Sequence, residues 1–227
     1  MILIGRVRFY LLWSILTVTP STVFANPVSF KDGWGIMPTF TSDWSDVDIN
    51  YSLTSRDALG VSEFDRNGRE TSANFGIVRY NRLIKRWNEI DSQANIYASV
   101  GVGGALTARD DAFAGYAALE SDYETRRVYT LFGVESLQSS AQARSRKDNR
   151  KENRVQFNRL RYRAGVAPYT APFDSLHTWL IVQVDYMPEM EDRVVVTPML
   201  RLFYNNLALE VGIGFNGQPS LGAMAHF

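Results

Sequence analysis

Along most of this chain, apolar residues fall on every second position. Leu207, Leu209, Val211 and Ile213 alternate with Ala208, Glu210 and Gly212, and Leu221, Ala223, Ala225 and Phe227 alternate with Gly222, Met224 and His226. A period of two is the signature of a strand with two unlike faces. The same rhythm recurs upstream. Val47, Ile49, Tyr51 and Leu53 share a face, as do Ile96, Val100 and Val102, then Phe113 and Leu119, then Leu160 and Tyr162. Leu180, Val182 and Val184 follow, then Val194, Val196, Leu200 and Leu202. A first strand around Trp34, Ile36 and Phe40 contains Pro38, which a central strand tolerates poorly. A short strand spans residues 58–64, and Asn67-Gly68 is a tight-turn signal. Residues 75–86 form a strand whose facing the sequence leaves ambiguous. The count is twelve strands, or ten if the Pro38 strand and one neighbour are lost. Their near-uniform length of about 9–11 residues suits a tilted strand crossing a bilayer.

The alternation runs to a terminal aromatic, whereas the last residues of soluble domains are usually polar and frayed. This stretch resembles the closing strand of a bacterial outer-membrane β-barrel. The resemblance implies that the assembly machinery reads the C-terminal strand and its Phe227. Three blocks, NYSLTSRDALGV from Asn50, RYNRLIKRW from Arg79 and DSQANIYASVGVG from Asp91, resemble a small, uncharacterised family of proteobacterial outer-membrane proteins. Some members of that group accompany heavy-metal efflux systems. The blocks include no functional motif and imply no metal site.

The other end of the chain fits export. Arg6 and Arg8 precede an apolar run over residues 9–18, and Val23, Phe24 and Ala25 form a small-residue cleavage pattern before Asn26. This reads as a signal peptide over residues 1–25, leaving a single domain over 26–227. The apolar run is too short for a membrane-spanning helix, which needs roughly 20 residues. The chain has no Cys, which excludes a lipid-anchored cysteine and disulfide bonds. Lys+Arg and Asp+Glu both total 24, so no basic excess points to nucleic acid. The expected fold is therefore all-β: a transmembrane antiparallel up-and-down barrel. Apolar rows including Ile96, Val100, Leu119, Val182, Leu202 and Ile213 would face lipid. With an even strand count, both termini lie in the periplasm. Odd-numbered connections are then extracellular, the seventh being the longest, at residues 138–154. Residues 87–92 and 167–175 make long periplasmic turns.

If the apolar rows face lipid, the polar rows carry the chemistry. Arg159, Arg161 and Arg163 form a ladder on one strand, spaced about 7 Å apart. A lipid-facing Arg near the midplane costs about 2–4 kcal/mol, so three on one face belong in the lumen. Arg193 and Arg201 lie two strands on. Acids occupy other walls: Asp46 and Asp48, then Glu120, Asp122 and Glu124, with Glu135 and Glu210. The arginine row is expected opposite or obliquely across from the Glu120 row, forming a polar constriction or a salt-bridged plug. The 138–154 run, rich in Arg and Lys, would face outward, either solvated or contacting lipopolysaccharide phosphates.

Catalysis and metal binding have little support. Asp174, Ser175 and His177 lie together at a turn, but without a hydrolase motif. The two histidines, His177 and His226, offer no ligand spacing, and no cofactor is implied. The functional expectation is an outer-membrane barrel serving as a small passive channel or a structural barrel with a charged lumen. The alternatives are a lipid-modifying outer-membrane hydrolase and a soluble periplasmic barrel binding a small ligand. The expected partners are outer-membrane lipids and the assembly machinery.

Overall fold

Lipid offers no partner to a free N–H or C=O, so a strand crossing a membrane must have both of its edges paired. A computed structural model, describing residues 26–67, 72–107, 111–144, 152–172 and 174–227, meets that demand with one closed antiparallel barrel. Its strands are β1 (Trp34–Thr41), β2 (Trp44–Ser52), β3 (Asp57–Asn67), β4 (Ser72–Asn88), β5 (Ser92–Leu106) and β6 (Asp111–Thr125). They continue as β7 (Val128–Arg144), β8 (Glu152–Val166), β9 (His177–Tyr186), β10 (Val194–Tyr204), β11 (Leu207–Ile213) and β12 (Pro219–His226). Each strand pairs with its sequence neighbours, and β1 closes the ring against β12. The twelve-strand expectation holds, and the Pro38 strand is retained.

Prolines sit where the ladder can do without them. Pro38 pairs with Val47 of β2, but the β12 ladder skips from Ile36↔Ala225 to Thr39↔Gly222. Pro198 pairs with Val182 of β9, whereas the β11 ladder starts one residue later, at Met199↔Gly212. Pro219 opens β12. At each place a proline avoids the N–H donation it cannot make. The seam ends in a reciprocal pair: Trp34 N donates to Phe227 O at 2.6 Å and Phe227 N to Trp34 O at 3.0 Å. Both ends of the described chain therefore lie at one mouth of the barrel, called here the near end.

Three length expectations need correction. The strands run from 7 to 17 residues and are not uniform. The expected loop at 138–154 is partly strand, since β7 continues to Arg144 and β8 begins at Glu152. Polar residues on both faces hid this alternation. Outward Gln138 and Ser140 flank inward Ser139, so no apolar row marks the strand. The turn at 87–92 shrinks to three residues because β4 runs to Asn88. The Gly68 half of the expected turn, the centre of the basic run at 145–151 and the signal segment lie outside the described residues.

The apolar rows face outward. Val78, Val100, Val102, Phe113 and Ile213 are between 56% and 66% exposed. Leu119 and Val182 share that exterior, as do half-buried Ile96 and Leu202 beside buried Tyr97 and Arg201. A soluble monomer rarely leaves apolar patches beyond roughly a few hundred Å² uncovered. A soluble ligand-binding barrel would turn these rows inward, so that alternative is set aside. This exterior is that of a transmembrane β-barrel.

Candidate functional site in the barrel lumen

The inward faces build three layers. At the far end, Trp44, Phe64, Phe75, Leu137, Val155 and Phe157 form an apolar cluster inside the barrel, joined by Met187 and Met190 from the β9–β10 connection. The Phe64 and Phe157 rings, from β3 and β8, meet with centroids 4.4 Å apart. These strands are far apart in the sheet order, so their contact spans the lumen. Arg66 of β3 makes the same crossing, donating from Nη1 to Gln156 O of β8 at 3.0 Å and from Nη2 to Glu189 O. That part of β8 has no partner on its β9 side, where pairing begins only at Leu160↔Tyr186. Glu189 covers the gap by accepting from Asn158 N at 3.0 Å. Ala141 of β7 and Val155 of β8 are buried in the same apolar cluster, and the β7–β8 ladder shifts register between Gln138 and Gln142.

The middle layer is charged. Arg159 Nε donates to Asp185 Oδ1 at 2.7 Å, and Nη1 lies 3.4 Å from Glu135. Its guanidinium also covers the Trp44 ring at 4.4 Å, a cation–π contact that ties this layer to the apolar cap. Arg161 stands 3.6 Å from Glu135 and 3.9 Å from Asp185. Arg163 donates to Gln183 at 2.6 Å and to Glu210 at 3.2 Å. Glu210 also accepts from Arg201 at 2.6 Å. Across the barrel, Arg79 pairs with Asp48 and lies 5.3 Å from the Tyr116 ring. Between these groups remains a cavity of about 160 Å³, walled by Asp46, Glu120, Arg161 and their neighbours. That is room for several waters.

The near layer is apolar again, in two patches. Tyr129, Leu131, Trp179, Ile181 and Met199 pack on one side. On the other, Val28 from the segment before β1 packs on Ala58, Leu83 and Tyr97. Beside them runs a polar chain in which Arg86 donates to Asn95 at 2.6 Å and Asn95 donates to Asp122 at 2.7 Å.

The arginine row thus meets acids, but not the row singled out from sequence. Its partners are Glu135, Asp185 and Glu210. Glu120 lines the same cavity as Arg161, yet among the described residues no ion pair joins it, Asp122 or Glu124 to these arginines. Register does not keep the rows apart, since Gly133 opposes both Glu120 and Arg161 and Leu131 opposes both Asp122 and Arg163. The side chains turn to other partners: Asp122 accepts from Asn95, and Arg163 donates to Gln183 and Glu210. Sequence reading missed Arg79, Tyr116 and Gln183. Arg79 and Asn81 alternate with Tyr80 and Arg82, so β4 offered no hydrophobic clue to its inward face. Arg193 lies in the β9–β10 connection, where its carbonyl accepts from Met187 N at 2.7 Å.

The candidate hydrolytic group does not assemble. His177 Nε2 lies 3.1 Å from Pro172 O, and Ser175 N donates to that same carbonyl at 3.1 Å. Among the described residues no hydrogen bond joins Ser175 to His177.

No protein-family model matches the chain, and no curated protein matches it in sequence. Among solved structures the barrel is similar to KdgM porin, with TM-score 0.44, 10% identity, and coverage of 86% of this chain and 98% of the other. A KdgM porin in complex with disordered oligogalacturonate gives TM-score 0.45 at the same identity and coverage. The translocator domain of autotransporter NalP from Neisseria meningitidis gives TM-score 0.42 and 7% identity, covering 86% of this chain and 85% of that domain.

Proposed function

We propose that this chain is an outer-membrane barrel whose lumen is closed at rest, a structural or gated barrel in place of a standing pore. The observation that carries the proposal is the filled interior. An apolar cluster occupies the far end, ion pairs occupy the middle, and packed side chains occupy the near end, leaving about 160 Å³ between them. An open pore keeps its polar wall in contact with water. Here Arg159, Asp185 and Arg201 have less than a tenth of their side chains exposed, and they face one another or other lumen groups. The arginine row and its acids then act as a lock, because buried charges without partners are costly.

The membrane assignment rests on the apolar exterior, and export rests on the N-terminal pattern. With the near end in the periplasm, the β7–β8 hairpin and its basic run face outward, within reach of lipopolysaccharide phosphates. Phe227, which completes the seam with Trp34, is the residue offered to the assembly machinery. The resemblance of the blocks from Asn50, Arg79 and Asp91 to a proteobacterial outer-membrane group supports the same reading. The test is conductance of the purified barrel in planar bilayers, with Arg161→Glu as the companion variant. A closed lumen predicts a silent barrel that the substitution destabilises. An open one predicts a current whose ion selectivity the substitution changes.

A further inference from the structure

The near mouth is occupied by the chain itself. Val28 is 2% exposed and packs inside the wall on Ala58, Leu83 and Tyr97. Pro27 lines the central cavity, and Asn26 is buried. Hydrogen bonds fix the segment to the wall. Ser29 N donates to Ser52 Oγ at 2.9 Å, Asp32 N donates to Ser52 O at 2.8 Å, and Ser52 N donates to Gly33 O at 2.9 Å. Gly33 is the hinge of this reversal, since a Cβ there would lie 2.7 Å from Ser29 Oγ and 2.8 Å from the Phe30 ring.

The cavity that Pro27 reaches is short of positive charge. Five carboxylates line it against four guanidiniums. Glu135 and Glu210 are each shared by two arginines, and Asp48 is held by Arg79. Asp46 and Glu120 are left with no ion pair and no side-chain hydrogen bond among the described residues. A carboxylate in a confined lumen keeps its charge at least cost beside a cation. The residue before Pro27 is Asn26, the first of the chain if the leader is removed after Ala25.

We infer that residues 26–33 are a built-in plug of the near mouth, and that leader cleavage gives the plug its anchor. Asp46 faces Arg79 and Arg159, and Glu120 faces Arg161 and Arg163, but none of these arginines is within ion-pair distance of them. The α-ammonium freed at Asn26, one residue from Pro27 in the cavity wall, adds the charge that evens the count. The uncleaved chain carries a neutral amide at that position, so removal of the leader would complete the lock of the lumen. This rests on the closed-lumen reading and on cleavage after Ala25.

The chain has no cysteine, so single-cysteine variants report cleanly. Val28→Cys and, as an exposed reference on the same segment, Phe30→Cys are made in the full chain with its leader. Folded, heat-modifiable barrels are then treated with a water-soluble maleimide. The plug predicts that the cysteine at 28 stays unlabelled while that at 30 reacts. Equal labelling at both positions in folded barrels would overturn the plug. Mass spectrometry of the purified protein is expected to show a chain starting at Asn26, and another start would overturn the ammonium anchor. With Glu120→Gln or Asp46→Asn added, labelling at 28 should accelerate by roughly tenfold or more, the scale of one charge-assisted hydrogen bond. No acceleration in either would remove the charge from the account. These readouts do not depend on conductance, so they separate failure of the plug from failure of the closed-lumen reading.

Discussion

Arg159 and Asp185 meet at 2.7 Å on neighbouring strands, with 3% and 4% of their side chains exposed. Gln183 donates to the second Asp185 oxygen at 2.5 Å, and Arg161 stands 3.9 Å from Asp185, so one carboxylate organises three groups. Asp185→Ala leaves Arg159 with Glu135 at 3.4 Å as its remaining ion pair. The expected loss is about 3–5 kcal/mol, the range for breaking a buried pair from one side. Urea unfolding followed by heat-modifiable mobility measures it. Asp185→Asn keeps an acceptor and is expected to lose less.

The far cap makes a separate prediction. Phe157 is 2% exposed and packs on Phe64 and Trp44 from the opposite wall. Phe157→Ala is expected to cost about 3–5 kcal/mol, as for a large aromatic deleted from a core. Phe64→Ala should cost a similar amount. The double variant should fall short of the sum, because both changes empty one cavity. Strict additivity in the unfolding midpoints would contradict contact across the lumen.

A tighter test of packing lies at Gly60. Asn50 folds over this glycine to accept from Asn81 at 2.8 Å, and Asn81 in turn accepts from Ser99 at 2.6 Å. A Cβ at position 60 would fall 2.1 Å from Asn50 Oδ1. Gly60→Ala should therefore displace Asn50 and break the buried ladder, at a cost of about 1–3 kcal/mol. Gly76 has open space around its Cβ position, so Gly76→Ala is the control and should leave the unfolding midpoint within about 0.5 kcal/mol of the parent.

The sequence made the barrel legible because lipid imposes a strict rule on one face. Leu119, Val182 and Ile213 had to look outward, and alternation then assigned everything between them. Where both faces are polar the rule is silent, which is why the upper β7–β8 hairpin read as a loop and β4 gave no facing. The charged belt was legible as rows but not as pairs. Arg161 and Glu120 oppose the same Gly133, yet that register depends on strand ends that alternation alone does not set. The cap and the near-end segment were not legible at all. Val28 lies between Pro27 and Ser29 outside any alternating row, and its burial arises only after the wall has closed around it.

Removal of Phe227 addresses assembly. The residue supplies both backbone bonds to Trp34 that finish the seam, and its ring is exposed on the outside. Deletion of Phe227 should lower the amount of folded barrel in outer membranes. Phe227→Ala keeps the backbone bonds and isolates the ring. A larger defect than expected from seam stability, seen in cells but not on refolding in detergent, would assign the ring to recognition. Normal assembly of both variants would remove Phe227 from that role.

The central claim is that the lumen is closed, and single-channel recording of the purified barrel in planar bilayers tests it most directly. The ion-paired belt and its two packed ends predict no steady current from the mature protein at moderate voltage. They also predict that Arg161→Glu lowers the unfolding midpoint, because it removes a cation shared by Glu135 and Asp185 and sets a third carboxylate beside them. A stable, ion-selective current from the unmodified protein, reversed or altered in selectivity by Arg161→Glu at unchanged stability, would contradict the closed lumen.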